Sequence, residues 1–167
     1  VIIRNNGFWD LGQRGGGQNF LYYGFNWSTS TTAKLVDLAV YNNWYQIKEE
    51  VDGGGYALDV VMPTDHGVFV HNTITTAYDP TTYTSMRDTS NFTNFVFKNN
   101  IVDRVSTTPT GSSNYNVFRS TTGSSVLGQN DIKDTSVANI GFVDFYTLTN
   151  PNLHLKSTSP YRQGSAG

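Results

Sequence analysis

Short runs of alternating apolar and polar residues fill the chain, and none keeps the i, i+3, i+4 spacing of an amphipathic helix for long. A period of two predicts strands. Four of the runs close on one pattern, an apolar residue, a variable residue, Asn, then Asn or Thr: Ile3-Arg4-Asn5-Asn6, Val40-Tyr41-Asn42-Asn43, Val70-His71-Asn72-Thr73 and Phe97-Lys98-Asn99-Asn100. The third residues of these motifs fall 37, 30 and 27 positions apart. A fixed strand motif at unequal intervals is what stacked repeats show when each carries its own loop. Gly15-Gly16-Gly17, Gly53-Gly54-Gly55, Asp79-Pro80-Thr81-Thr82 and residues 107–113 read as those loops by composition.

Strict alternation assigns the faces. Counting from Asn72, it points Val68, Val70 and Ile74 inward; the same count turns in Phe95, Phe97, Asn99 and Ile101, and Leu38, Val40, Asn42 and Trp44. The expected interior is apolar except at one corner, where Asn5, Asn42, Asn72 and Asn99 would stack as a ladder. An unpaired buried amide costs about 1–3 kcal/mol, whereas amides stacked from repeat to repeat can satisfy one another. Several positions left outside, Ile2, Ala39, Phe69 and Val96, with Phe8, Tyr45 and Val102, are apolar as well. They need a cover, which predicts that the long insertions fold back over the sheets.

The runs Gly67-Val68-Phe69-Val70-His71-Asn72-Thr73-Ile74 and Phe95-Val96-Phe97-Lys98-Asn99-Asn100-Ile101-Val102 resemble successive coils of secreted bacterial parallel β-helix proteins, the pectate-lyase-like superfamily. Gly141-Phe142-Val143-Asp144 and Leu153 through Pro160 are similar to the closing segment of such proteins. The resemblance implies an all-β fold, a right-handed parallel β-helix of about five to seven coils with long loop insertions. It spans lyases, hydrolases, epimerases, tailspikes, adhesins and binding modules, so it does not select an activity.

Composition narrows the field. Charged residues make up only 14% of the 167, the formal net charge is −2, and no basic stripe is present to neutralise phosphates, so nucleic acid is not an expected partner. No apolar run approaches the ~20 residues of a membrane-spanning helix, so no membrane partner is expected either. Zero cysteines remove disulfides, thiolate nucleophiles and Cys-based zinc sites. Low charge with many Ser, Thr, Asn and Gly reads as a secreted, extracellular, sugar-facing protein. Val1-Ile2-Ile3 reads as a strand already under way, which predicts one module over residues 1–167 cut from a larger protein.

The outward column Arg4, Tyr41, His71 and Lys98 contains no carboxylate, and Asp103 and Arg104 stand alone at a strand end, so neither a lyase base nor an acid–base pair is evident. Glu49, Glu50, Asp52, Asp59, Asp65 and His66 form an acidic stretch without the ligand spacing of a calcium loop; calcium is compatible with it, and no cofactor or metal is expected. His66, His71 and His154 lack metal-ligand spacing and read as surface or turn residues. The positive signal is aromatic, with Trp 3, Tyr 10 and Phe 10. Trp27, Tyr22, Tyr23, Trp9, Tyr41, Tyr45, Tyr78 and Tyr83 are the candidate sugar-stacking residues, Trp27 the foremost, while alternation assigns Trp44 to packing.

By architecture the chain is similar to β-helical carbohydrate-binding modules of gut bacterial xylanases. That likeness implies a non-catalytic module for a neutral plant polysaccharide such as xylan, fused to a catalytic domain in the parent chain. Two other readings stay open: a fragment or small member of a β-helical lyase or hydrolase, and a structural surface adhesin.

Overall fold

The structure, a computed structural model, describes residues 2–9, 19–23, 35–47, 56–60, 64–76, 86–87, 92–103, 111–120, 128–134, 136–146 and 151–162. It is mostly strand, with a single short helix among the described residues. Strands that begin equivalent repeats pair in parallel with each other. β1 (Ile2–Arg4), β5 (Ala39–Tyr41), β9 (Val68–Val70), β13 (Phe95–Lys98) and β15 (Gly111–Asn114) form one five-stranded sheet in that order. β2 (Gly7–Trp9), β6 (Trp44–Ile47), β10 (Thr73–Thr76), β14 (Ile101–Val102), β16 (Val117–Phe118) and β17 (Ile132–Lys133) form a second sheet, again in chain order. Two three-stranded sheets repeat the arrangement: β3 (Asn19–Tyr23), β7 (Tyr56–Val60) and β11 (Met86–Arg87), and β4 (Leu35–Val36), β8 (Thr64–Asp65) and β12 (Phe92–Thr93).

Between the first and second sheets each repeat turns through two residues. The first is left-handed, with φ of 57° at Asn5, 55° at Asn42, 56° at His71, 56° at Asn99 and 57° at Tyr115. This conformation costs most L-residues roughly 1–2 kcal/mol and is tolerated best by Asn, which explains three asparagines at the five positions. The second residue is the inward one. Asn43, Asn72, Asn100 and Asn116 are buried, and each side chain bonds to the next rung. Asn43 donates from its backbone N and its Nδ2 to Asn72 Oδ1, each at 3.1 Å. Asn72 donates in the same way to Asn100 Oδ1 at 2.9 and 3.1 Å, and Asn100 to Asn116 Oδ1 at 3.0 Å in both bonds. The remaining amide hydrogen bonds backbone carbonyls, as Asn72 Nδ2 does to Val40 O at 2.9 Å, so every donor of the side chain is used.

The ladder is therefore Asn6, Asn43, Asn72, Asn100 and Asn116, which corrects the expected set. Only Asn72 belongs to both. Asn5 and Asn42 are exposed and Asn99 half-buried, all in the left-handed turn. The physical reason is that the left-handed residue interrupts the pleat: inward positions on either side of it are three apart, as in Val40 and Asn43, instead of two.

The same interruption resets the face assignment. Leu38, Val40, Ile74, Phe95 and Phe97 are buried as expected, but Val68 is exposed, Val70 half-buried, and Phe69 is inside at 1% exposure. Phe69 stacks on Phe97 with ring centroids 5.3 Å apart, and Phe97 on Phe118 at 6.2 Å. Tyr45, Ile74, Val102 and Phe118 form the inward column of the second sheet. Gly67 leaves room for the Phe95 ring of the next repeat, which occupies the place a Cβ would take.

The outer face of the second sheet is covered by the C-terminal segment. Ser136 caps helix α1 (Val137–Ile140), its side chain accepting from Asn139 N, and the helix ends at left-handed Gly141 with φ of 74°. β18 (Phe142–Asp144) and β19 (Asn152–Leu155) then pair antiparallel. Phe142, Phe145, Leu153 and Tyr161 pack with Ile140 against Ile101 and Val117 of the sheet. Polar ties fix the segment: Gln46 Nε2 donates to Phe145 O at 2.7 Å and Tyr161 OH to Asp134 Oδ2 at 2.7 Å. Asp103 does not stand alone. Its carboxylate meets Arg119 at 2.9 Å in a pair that is all but fully buried, with the guanidinium 5.0 Å from the centre of the Phe145 ring.

Candidate functional site

Where β19 lies along the second sheet it leaves a groove. One part, of about 560 Å³, is lined by Asn42, Asn43, Trp44, His71, Thr73 and residues 151–154. The adjoining part, of about 460 Å³, is lined by His71, Thr73, Asn99, Ile101, Leu153, His154, Leu155 and Arg162. His71, Thr73, Leu153 and His154 belong to both, so the two parts are continuous.

Its direction follows from its walls. On one side the left-handed turn residues Asn42, His71 and Asn99 come from three successive repeats, which parallel pairing sets about 4.8 Å apart. On the other, β19 passes from Asn152 beside the Asn42 repeat to Leu155 beside the Asn99 repeat. The groove runs across the strands, from repeat to repeat. Alternation in β19 turns Leu153 down into the core and leaves Asn152 and His154 exposed on the rim.

Trp44 is the aromatic of this groove. It lies on the outward side of β6, half-buried, packed on the C-terminal cluster that holds Leu153 and Phe145. Its indole reaches over Gly7 of the preceding repeat, where any side chain would collide with it. Packing fixes the ring and leaves part of it facing the groove, so its expected inward placement is corrected.

No family model, curated protein or solved structure matches this chain.

The other aromatic candidates are distributed differently. Trp27, Tyr78 and Tyr83 lie outside the described residues. Trp9 belongs to β2, and Tyr22 and Tyr23 to β3, by backbone. Tyr41 is half-buried on β5, its hydroxyl accepting a bond from Arg4 at 3.3 Å. Tyr45 is corrected: at 1% exposure it is a core residue, and burial pushes its phenol up to about 12 from 10.0. A stacking platform must be accessible, and this ring is not.

Groove residues that sequence reasoning did not single out as ligand-binding are Trp44, Asn42, His71, Thr73, Asn152, His154 and Arg162. The turn residues carry a signal, the recurring motif, but strict alternation assigns Asn42 and Asn99 to the interior. Leu153-His154-Leu155 also shows the alternation that exposes His154, although nothing local tells which sheet β19 covers. Among the described residues no group of three or more His, Asp or Glu could hold a metal ion.

Proposed function

We infer that the chain is a right-handed parallel β-helix and propose that it binds an extended, neutral plant glycan, such as xylan, along the groove beside β19. Parallel pairing in strict chain order and the continuous amide ladder support the first inference. Crossovers joining parallel strands are right-handed in nearly all proteins, which supports the hand.

One observation carries the binding reading: a groove spanning three repeats combines a fixed indole with amide and imidazole groups on both walls and the Thr73 hydroxyl on one. A pyranose presents an apolar face of C–H groups to stack on such a ring and a rim of hydroxyls for amides that both donate and accept. An extended glycan advances by roughly one strand spacing per sugar. Successive sugars would then meet equivalent side chains of successive repeats.

The described lining residues include no carboxylate, whereas glycosidic hydrolysis generally uses two. This favours retention of the glycan over its cleavage. In this reading the protein is a secreted accessory module that holds a polysaccharide near a catalytic domain of the same parent chain. Incubation with insoluble xylan and cellulose tests it: the protein is expected in the pellet with at least one of them, and recovery in the supernatant with every plant glycan tried would reject the proposal.

A further inference from the structure

The two ends of the groove differ in chemistry. The end at Trp44 is aromatic and amide-lined, with Asn42, Asn43 and Asn152. The other holds Arg162 and Asn99 over a floor of Ile101 and Leu155, while His71 and His154 border both parts. Arg162 is exposed and its backbone N bonds to Ser159 O.

We propose that the glycan bound here carries a carboxylate, as a uronic acid on an otherwise neutral chain, and that this carboxylate sits against Arg162. The inference rests on the glycan reading above, keeps its neutral backbone and replaces a fully neutral ligand by one with an acidic branch. A guanidinium matches a carboxylate with two parallel hydrogen bonds, a geometry a hydroxyl cannot return. The apolar floor strengthens the attraction by excluding water from one side.

Lys98 precedes Asn99 and Lys156 follows Leu155, so the elements that form this end contribute cations. Two carboxylates lie on neighbouring elements: Asp144 pairs with Asn152 at the opposite end of β19, and Asp134 accepts a hydrogen bond from Tyr161, the residue before Arg162. Arg162 lines this end and not the other, and it is what distinguishes the end for an anion on the ligand.

The test compares a linear xylo-oligomer with the same oligomer bearing one glucuronic acid branch, by calorimetry, on the wild-type protein and on Arg162→Gln. The acid-bearing oligomer should bind the wild type about tenfold more tightly than the neutral one, in keeping with a charge-assisted contact. That advantage should shrink as salt rises. In Arg162→Gln the ratio of the two affinities should fall close to one. Equal affinities on the wild type, or a ratio that survives Arg162→Gln, overturn the inference while leaving glycan binding intact. Failure of both oligomers to bind would instead remove the glycan reading, and this inference with it.

Discussion

Asn116 donates from its backbone N and its Nδ2 to a single oxygen of Asp131, each at 2.9 Å, so the amide ladder ends on a carboxylate. The other oxygen of Asp131 accepts from Ser113 Oγ at 2.6 Å and from Gly128 N at 2.7 Å. Asn43, Asn72 and Asn100 each accept from one neighbouring rung and donate to the next. At position 131 all four contacts are donors pointing at the side chain, and an acceptor-only group fits.

Asp131→Asn should therefore destabilise the fold by about 1–3 kcal/mol, because the new NH₂ must oppose one of these donors whichever way the amide is turned. Urea denaturation of the two proteins measures it. Equal midpoints would show that the ladder's last rung accepts an amide as readily as a carboxylate.

The ladder register makes a second prediction. Asn72→Ala removes the acceptor for two donors of Asn43 and the donor to Val40 O and Asn100 Oδ1, so it should cost about 2–4 kcal/mol. Asn42, exposed in the left-handed turn, should lose only about 1 kcal/mol as alanine and almost nothing as glycine. Similar losses for Asn72→Ala and Asn42→Ala would contradict the assigned register.

The strand pattern is largely legible in the sequence, and the misassigned faces have one cause. Recurrence of the motif located the strands and the corner, and Asn72 was placed correctly because its repeat has His71 where the others have Asn. In the Asn-Asn repeats either residue satisfies the pattern. Only the left-handed backbone of the first decides which one turns inward, and composition does not report φ. Phe69 and Tyr45 were misplaced for the same reason, since alternation carried through the turn reverses the faces. The groove depends on β19 covering the second sheet, a contact between Leu153 and residues such as Ile101 that lie far away in the chain. No local pattern encodes that partnership.

Alkaline pH offers a third check. Tyr45 is raised to about 12 by burial, and Tyr161 to about 12 by burial first and then by its hydrogen bond to, and the charge of, Asp134. Both phenols are neutral in the folded and unfolded protein below pH ~10. Between pH ~10 and ~12 the unfolded chain releases these protons first, so stability present below this window is lost as the pH climbs through it. For the buried Tyr45 the shift corresponds to about 3 kcal/mol at most, and Tyr161 contributes less because solvent screens its hydroxyl. Urea melts at graded pH should show the decline, and Tyr161→Phe should make it shallower; an unchanged slope in that variant would contradict the environment assigned to Tyr161.

The central claim is that the groove beside Trp44 holds a glycan, and calorimetric titration of xylo-oligomers and cello-oligomers tests it most directly. The comparison uses wild type, Trp44→Ala, the rim variants Asn152→Ala and His154→Ala, and Tyr146→Ala as an exposed aromatic outside the groove. The account predicts that Trp44→Ala weakens binding by about 2 kcal/mol or more, and the two rim variants by about 0.5–1.5 kcal/mol each. Tyr146→Ala should bind as the wild type does, with circular dichroism showing every variant folded. Wild-type affinity in Trp44→Ala and both rim variants, or no binding of either oligomer series by the wild type, would contradict it.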